Sequence, residues 1–157
     1  WNELYSWTNP PPDRLLAEVD GHADFAVAQA LAAPCVEIRH ARAEPVGDDT
    51  WRVVIGVANT GWLPTTVSSK ARQDDLVRPI LADIEIEGGG DVLDGAARRT
   101  LGQLAGSSSF RAAGSTGSTP DRASCTWLVR AAPGTTITVT IRHQRAGSDS
   151  TRLELGR

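Results

Sequence analysis

The sequence predicts a mainly β protein, an antiparallel two-sheet sandwich (Ig/fibronectin-like) that is preceded by one amphipathic α-helix. Apolar and polar residues alternate in about seven short segments after Pro34, and Gly, Pro and Asn turns separate these segments. The 3.6-residue apolar period of a helix occurs only before Pro34. One-sided alternation is typical of antiparallel sheets, because one face packs on the core and the other meets water.

The helix is predicted between two proline signals. Pro10, Pro11 and Pro12 favour an extended spacer, and Asp13 suits the positive end of the helix dipole in the first turn. Pro34 ends the helix. The apolar stripe is made of Leu15, Leu16, Val19, His22, Ala23, Ala26, Val27, Ala30 and Leu31. An isolated helix of about 20 residues is marginal in water, so this stripe needs a partner, either the sandwich or a domain upstream.

Each predicted strand is a set of apolar residues in alternation with polar ones. The sets are Val36, Ile38 and His40; Trp51, Val53, Ile55 and Val57; Ile80, Ala82, Ile84 and Ile86; Cys125, Trp127 and Val129; Ile137, Val139 and Ile141; Leu153 and Leu155. Residues 102–122 are rich in Gly and Ser and interrupt the pattern. We therefore predict one long mobile loop there.

Charge and hydropathy exclude two classes of partner. The 157-residue chain has a net charge of -3 and a pI near 5.6, and Lys70 is its only lysine. A nucleic-acid-binding domain would need a basic face, so we expect no nucleic-acid partner. No apolar run approaches the roughly 20 residues of a membrane-spanning helix, so we expect no membrane span.

The start of the chain predicts a domain cut from the end of a larger protein. The sequence opens on Trp1, contains no methionine and shows no signal peptide. We expect residues 1–33 to form an aromatic and proline-rich segment plus the helix, which together join an upstream domain. Residues 34–157 would form the β-sandwich.

The residues that could carry chemistry are scattered. His22, His40 and His143 have no metal-site spacing, and we expect His40 and His143 to be partly buried at strand ends. There is no nucleophile motif of the GxSxG type, and the adjacent acids Asp48-Asp49 and Asp74-Asp75 point apart. The sequence therefore predicts no catalytic residue and no metal ligand in this chain.

Two cysteines leave two alternatives open. A disulfide between Cys35 and Cys125 would close a loop of about 90 residues and contribute on the order of 4–5 kcal/mol. However, Cys125 shares its phase with Trp127 and Val129, whereas Cys35 is out of phase with Val36. This difference favours two free thiols that pack as small hydrophobes.

Several segments form a recognisable set that spans nearly the whole chain, and none of them is catalytic. They are Trp1-Asn2 through Trp7, Asn9 to Pro12, His22 to Ala26, Gln29 to Ala32, Trp51 to Thr65, Gly102 to Gly106 and Thr119 to Ala123. Together these segments resemble the C-terminal region of bacterial zinc carboxypeptidases of the carboxypeptidase A-like (funnelin) family.

The resemblance implies an accessory role beside an upstream zinc peptidase domain of the same polypeptide. The family's chemistry needs two His and one Glu on zinc plus a Glu base, and this chain has no HxxE motif to carry them. Zinc is therefore expected in the upstream domain and no cofactor here. Trp1, Tyr5, Trp7 and Trp62 are the candidate contacts to that domain or another partner, including self-association through the N-terminal aromatic segment. The alternative is a polymer- or sugar-binding sandwich, with Trp62 as its exposed aromatic.

Overall fold

A computed structural model describes residues 10–108 and 120–156 of the chain, which divides into two compact units between Ala32 and Ala33. The first unit contains helix α1, Leu15–Leu31, where the apolar period predicts it. No residue of α1 is buried. Leu16 and Leu31 are each 79% exposed, so the apolar side chains of this helix face solvent.

The second unit is a sandwich of two four-stranded antiparallel sheets, which confirms the predicted fold class. The elements are β1 (Val36–Gly47), β2 (Thr50–Asn59), α2 (Ser69–Gln73), β3 (Ile80–Ile86), β4 (Asp91–Val92), β5 (Arg98–Gly102), β6 (Arg122–Arg130), β7 (Thr136–His143) and β8 (Gly147–Glu154). One sheet has the order β1-β2-β6-β4 and the other β5-β3-β7-β8. The two short strands β4 and β5 and the five-residue helix α2 were not among the predicted elements.

The core lies between the two sheets and consists mostly of the residues in the predicted inward phase, with Leu104, Ala131 and Ala146 in addition. Its largest fully buried side chain is Trp127 on β6. Around it pack Val53, Ile55 and Val57 of β2, Ile80, Ala82 and Ile84 of β3, and Ile137, Val139 and Ile141 of β7. Trp51 keeps its indole N–H satisfied by donating to the carbonyl of Ala131 at 2.9 Å.

An arginine enters the edge of this core. Arg99 of β5 is half-buried, and its guanidinium lies 5.7 Å from the ring centroid of Trp127. The carboxylate of Asp94 pairs with the same guanidinium at 2.7 Å. A cation over an indole face is attracted by the ring quadrupole, and the carboxylate compensates its charge. The pair thus places a charged group against the central tryptophan.

The prediction of one long mobile loop at residues 102–122 is wrong for residues 103–106. Residues 103–106 form no helix or strand, yet Leu104 is buried in the core. The hydroxyl of Thr65, itself buried, accepts from the Leu104 N–H at 2.9 Å. The side-chain amide of Gln103 donates to the carbonyl of Val77 at 2.7 Å. These bonds attach the segment to two other loops, while residues 109–119 lie outside the described part of the chain.

Candidate binding groove on the outer face of the first sheet

A β-bulge near the start of β1 exposes two consecutive polar side chains. Ile38 pairs with Val57, but His40 pairs with Gly56, so Arg39 is an extra residue on β1. A bulge of this kind shifts the side-chain phase of everything that follows it. Arg39 and His40 are consequently both exposed. The prediction that His40 is partly buried is therefore wrong, and alanines 41 and 43 take the half-buried positions instead.

The floor of the groove is formed by two small residues on β2. Gly56 lies between His40 on β1 and Ser124 on β6, and Ala58 lies between Glu37 on β1 and Arg122 on β6. Because neighbouring strands are about 4.8 Å apart, the walls on β1 and β6 are separated by about 10 Å. The side chains of Arg39 and His40 on β1 and of Arg122 on β6 rise on either side of the small residues of β2. They enclose a groove of about 780 Å³.

Each of the two arginines that line the groove is paired with a neighbouring carboxylate. Arg39 contacts the carboxylate of Glu37 at 3.0 Å, and the hydroxyl of Thr60 donates to the same carboxylate at 2.8 Å. These two hydrogen bonds, that of Thr60 first, lower the pKa of Glu37. On the other wall, the guanidinium of Arg122 lies 3.6 Å from the carboxylate of Asp121. The groove therefore presents both donors and acceptors without a large net charge.

Trp62 lies in the loop that follows β2. Its indole is 58% exposed, whereas its backbone is held in place. The Trp62 carbonyl accepts from the N–H of Ser108 at 2.9 Å, and the Gly61 carbonyl accepts from Ser107 at 3.1 Å. Ser107 and Thr60, two residues before Trp62, both line the groove. The predicted exposure of Trp62 is thus what the structure shows.

Neither of the other two histidines is among the residues that line the groove. His22 is exposed on α1, and His143 is buried at the end of β7. The Nδ1 atom of His143 accepts from the backbone N–H of Arg145 at 3.2 Å and of Ala146 at 3.1 Å. Burial is the main cause that lowers the pKa of His143. This neutral ring caps the turn between β7 and β8.

Both cysteines are free thiols. Cys125 is buried in the core, as its phase predicts, and burial raises its pKa. Cys35 is exposed immediately before β1, so it does not pack as a core hydrophobe. The alternative with a disulfide is therefore wrong, and the alternative with two packed thiols is right for Cys125 alone.

Several of the predicted contact residues lie outside the described part of the chain, namely Trp1, Tyr5 and Trp7. Within residues 10–108 and 120–156, no group of three His, Cys, Asp or Glu side chains could hold a metal ion. In the same residues no helix combines the length and the apolar character that crossing a bilayer requires.

Sequence reasoning missed the groove. It considered Trp62 as an exposed aromatic residue. It did not consider Arg39, the bulge residue of β1, or Arg122 on β6, which both line the groove. The available signal was the small outward pair Gly56 and Ala58 within an otherwise large-residue strand, because glycine in a strand often marks close approach of another chain or ligand.

Comparison with known families gives one match. Residues 35–154 match the family described as "Domain of unknown function (DUF8731)". The chain belongs to this family. The matched residues of the DUF8731 domain begin one residue before β1 and end with β8, so they include every strand and exclude α1. No curated protein matches the chain.

Proposed function

We propose that this chain is a non-catalytic C-terminal accessory domain of a zinc metallocarboxypeptidase-like protein, in which it braces or orients an upstream peptidase domain. The observation that carries the proposal is the exposed apolar surface of α1. This helix lies outside the matched DUF8731 residues and has no buried side chain. Residues 1–33 would then be the joint, and residues 34–157 the accessory domain.

The apolar side chains of α1 are unusual for a solvated helix. Phe25 is 62% exposed, and Leu15, Leu16, Val19, Val27 and Leu31 are exposed as well. Many exposed apolar residues on one helix are typical of an interface, because leaving them in water forgoes the free energy of burial. The upstream domain of the same polypeptide is the partner that the sequence resemblance suggests, and the zinc and the hydrolytic residues would belong to that domain.

Hydrogen exchange tests this joint. The backbone amides of α1 should exchange quickly in the present chain and markedly more slowly in the longer polypeptide that includes the preceding residues, because packing suppresses helix opening. The buried strand β6 serves as the internal reference, since its amides should exchange alike in both proteins. Equal exchange of α1 in the two proteins, or a preceding sequence without an HxxE motif and a distal His, contradicts the proposal.

An activity measurement tests the assignment as non-catalytic. The chain, assayed with and without added zinc, should release no C-terminal residue from model peptides, whereas the longer polypeptide should do so. Zinc-dependent turnover by the chain itself would overturn the accessory role.

A second candidate function is a polymer- or sugar-binding module. The observations that favour it are the polar groove and the exposed indole of Trp62, because sugar-binding sandwiches combine an exposed aromatic ring with paired donors and acceptors. This role is compatible with the first, since an accessory domain can hold the polymer on which its neighbour acts.

A further inference from the structure

We propose that the groove between β1 and β6 binds an extended, neutral glycan, and that the exposed indole of Trp62, two residues after the groove residue Thr60, stacks on one of its sugar rings. This inference rests on the second candidate function and names its ligand class and its site. Three properties of the described residues support it: the paired charges, the small floor and the placement of Trp62.

The paired charges favour a neutral, hydroxyl-rich ligand. A hydroxyl group donates and accepts at once, so it can bridge a guanidinium and its carboxylate without separating them. The pairs Arg39–Glu37 and Arg122–Asp121 offer this combination on opposite walls. An anionic ligand would instead have to compete with a carboxylate already in place on each side.

The small floor favours an extended chain. Gly56 and Ala58 bring the ligand close to β2, and the walls about two strand spacings apart admit one sugar chain lying flat. The volume of about 780 Å³ lies within the range of about 300–1,000 Å³ that is typical of ligand sites. Ser124 and Ser107 add hydroxyls along the same surface.

Trp62 adds an apolar platform. Its backbone is fixed by the hydrogen bond from Ser108, and the glycine at position 106 is needed for this approach. A Cβ on Gly106 would come within 2.3 Å of the Trp62 carbonyl oxygen. A fixed backbone that carries an exposed indole presents a large stacking surface at little cost in conformational entropy.

The test is isothermal titration calorimetry of the full chain with chitohexaose and with cellohexaose, together with co-sedimentation with peptidoglycan sacculi, which share the β-1,4 backbone. Binding to at least one of them is expected. Trp62→Ala and Arg122→Ala should each lower the affinity roughly tenfold, as expected for the loss of one stacking ring or one charge-assisted contact. The matched controls are Leu76→Ala and Arg152→Ala, which remove an exposed apolar residue and an exposed arginine that do not line the groove.

The outcomes separate the site from the function. Binding to a glycan that Trp62→Ala and Arg122→Ala leave unchanged, with both variants folded, would overturn the groove as the site but keep the sugar-binding function. Binding to none of the three glycans would overturn both. Binding of poly-glutamate that weakens strongly between low and high salt would overturn the proposal in favour of an acidic peptide, because neutral sugars bind independently of ionic strength.

Discussion

The side-chain amide of Asn59 donates to the backbone carbonyl of Ala105 at 3.0 Å, which joins the last residue of β2 to the segment after β5. The same amide donates to the Leu63 carbonyl at 2.8 Å. Its oxygen accepts from the N–H of Cys35 at 3.0 Å and of Gly61 at 3.1 Å. One buried side chain thus satisfies four backbone groups on three segments, and it positions the loop that carries Trp62.

Removing these bonds should strongly destabilise the sandwich. We expect Asn59→Ala to lower the free energy of unfolding by at least about 3 kcal/mol, since each buried polar group left unpaired costs about 1–3 kcal/mol. Urea denaturation followed by tryptophan fluorescence measures this change. The control is Thr60→Ala, which alters an exposed neighbour. Similar midpoints for both variants would show that the four bonds contribute little.

A methyl group at position 61 should also destabilise the fold. A Cβ on Gly61 would lie 2.2 Å from the carbonyl oxygen of Ala33 and 2.7 Å from the Cα of Pro34. Backbone atoms cannot yield as a flexible side chain does, so we expect Gly61→Ala to cost more than about 2 kcal/mol. Gly47→Ala is the matched control because no atom lies within 4 Å of its added Cβ. Equal melting temperatures of the two variants would contradict this packing argument.

Stability should fall as the pH is lowered through the titration of His143. Burial first, and the charge of Arg145 in addition, hold the pKa of His143 below its usual value of 6.5, while the backbone of Arg78 partly offsets them. The unfolded chain therefore binds a proton before the folded chain does. The neutral ring of His143 contributes fully to the free energy of unfolding at pH values above the pKa of this histidine in the unfolded chain. This contribution is lost progressively as the pH falls below 6.5 towards the lower pKa of His143 in the folded chain.

Protonation also removes the acceptor that holds the β7–β8 turn. The Ala146 carbonyl in that turn accepts from the Val36 N–H at 2.9 Å, so loosening the turn also loosens the start of β1. Urea midpoints measured from pH 8 to pH 5 test this. His143→Asn keeps an acceptor that does not titrate, and its midpoint should vary less over that range. An unchanged pH dependence in this variant would assign the effect to other groups.

The two thiols should differ in reactivity. Cys35 is exposed, whereas Cys125 is buried with a raised pKa, and only an accessible thiolate attacks a disulfide reagent. We expect one thiol to react with Ellman's reagent in the native protein and the second only after unfolding. Cys35→Ser should abolish the native reaction, whereas Cys125→Ser should leave it intact. Rapid reaction of both native thiols would contradict the burial of Cys125.

Local pattern accounts for most of the elements. The two-residue period around Ile55, Trp127 and Val139 predicts strands and their inward faces, and the core contains these residues. The 3.6-residue period predicts α1 between Pro12 and Pro34. Both inferences depend only on neighbours along the chain, because the direction of each side chain follows from the backbone repeat.

The groove, the bulge and the packed segment after β5 were decided by tertiary structure. The extra residue at Arg39 exists only relative to the partner strand β2, so alternation in β1 alone places His40 inward. Leu104 is buried because Thr65 and Asn59, far away in sequence, satisfy the polar backbone around it. Composition alone predicts a loose loop at that segment. Register and the pairing of distant polar groups are long-range properties, and they are what bring Arg39 and Arg122 to one face of the sandwich.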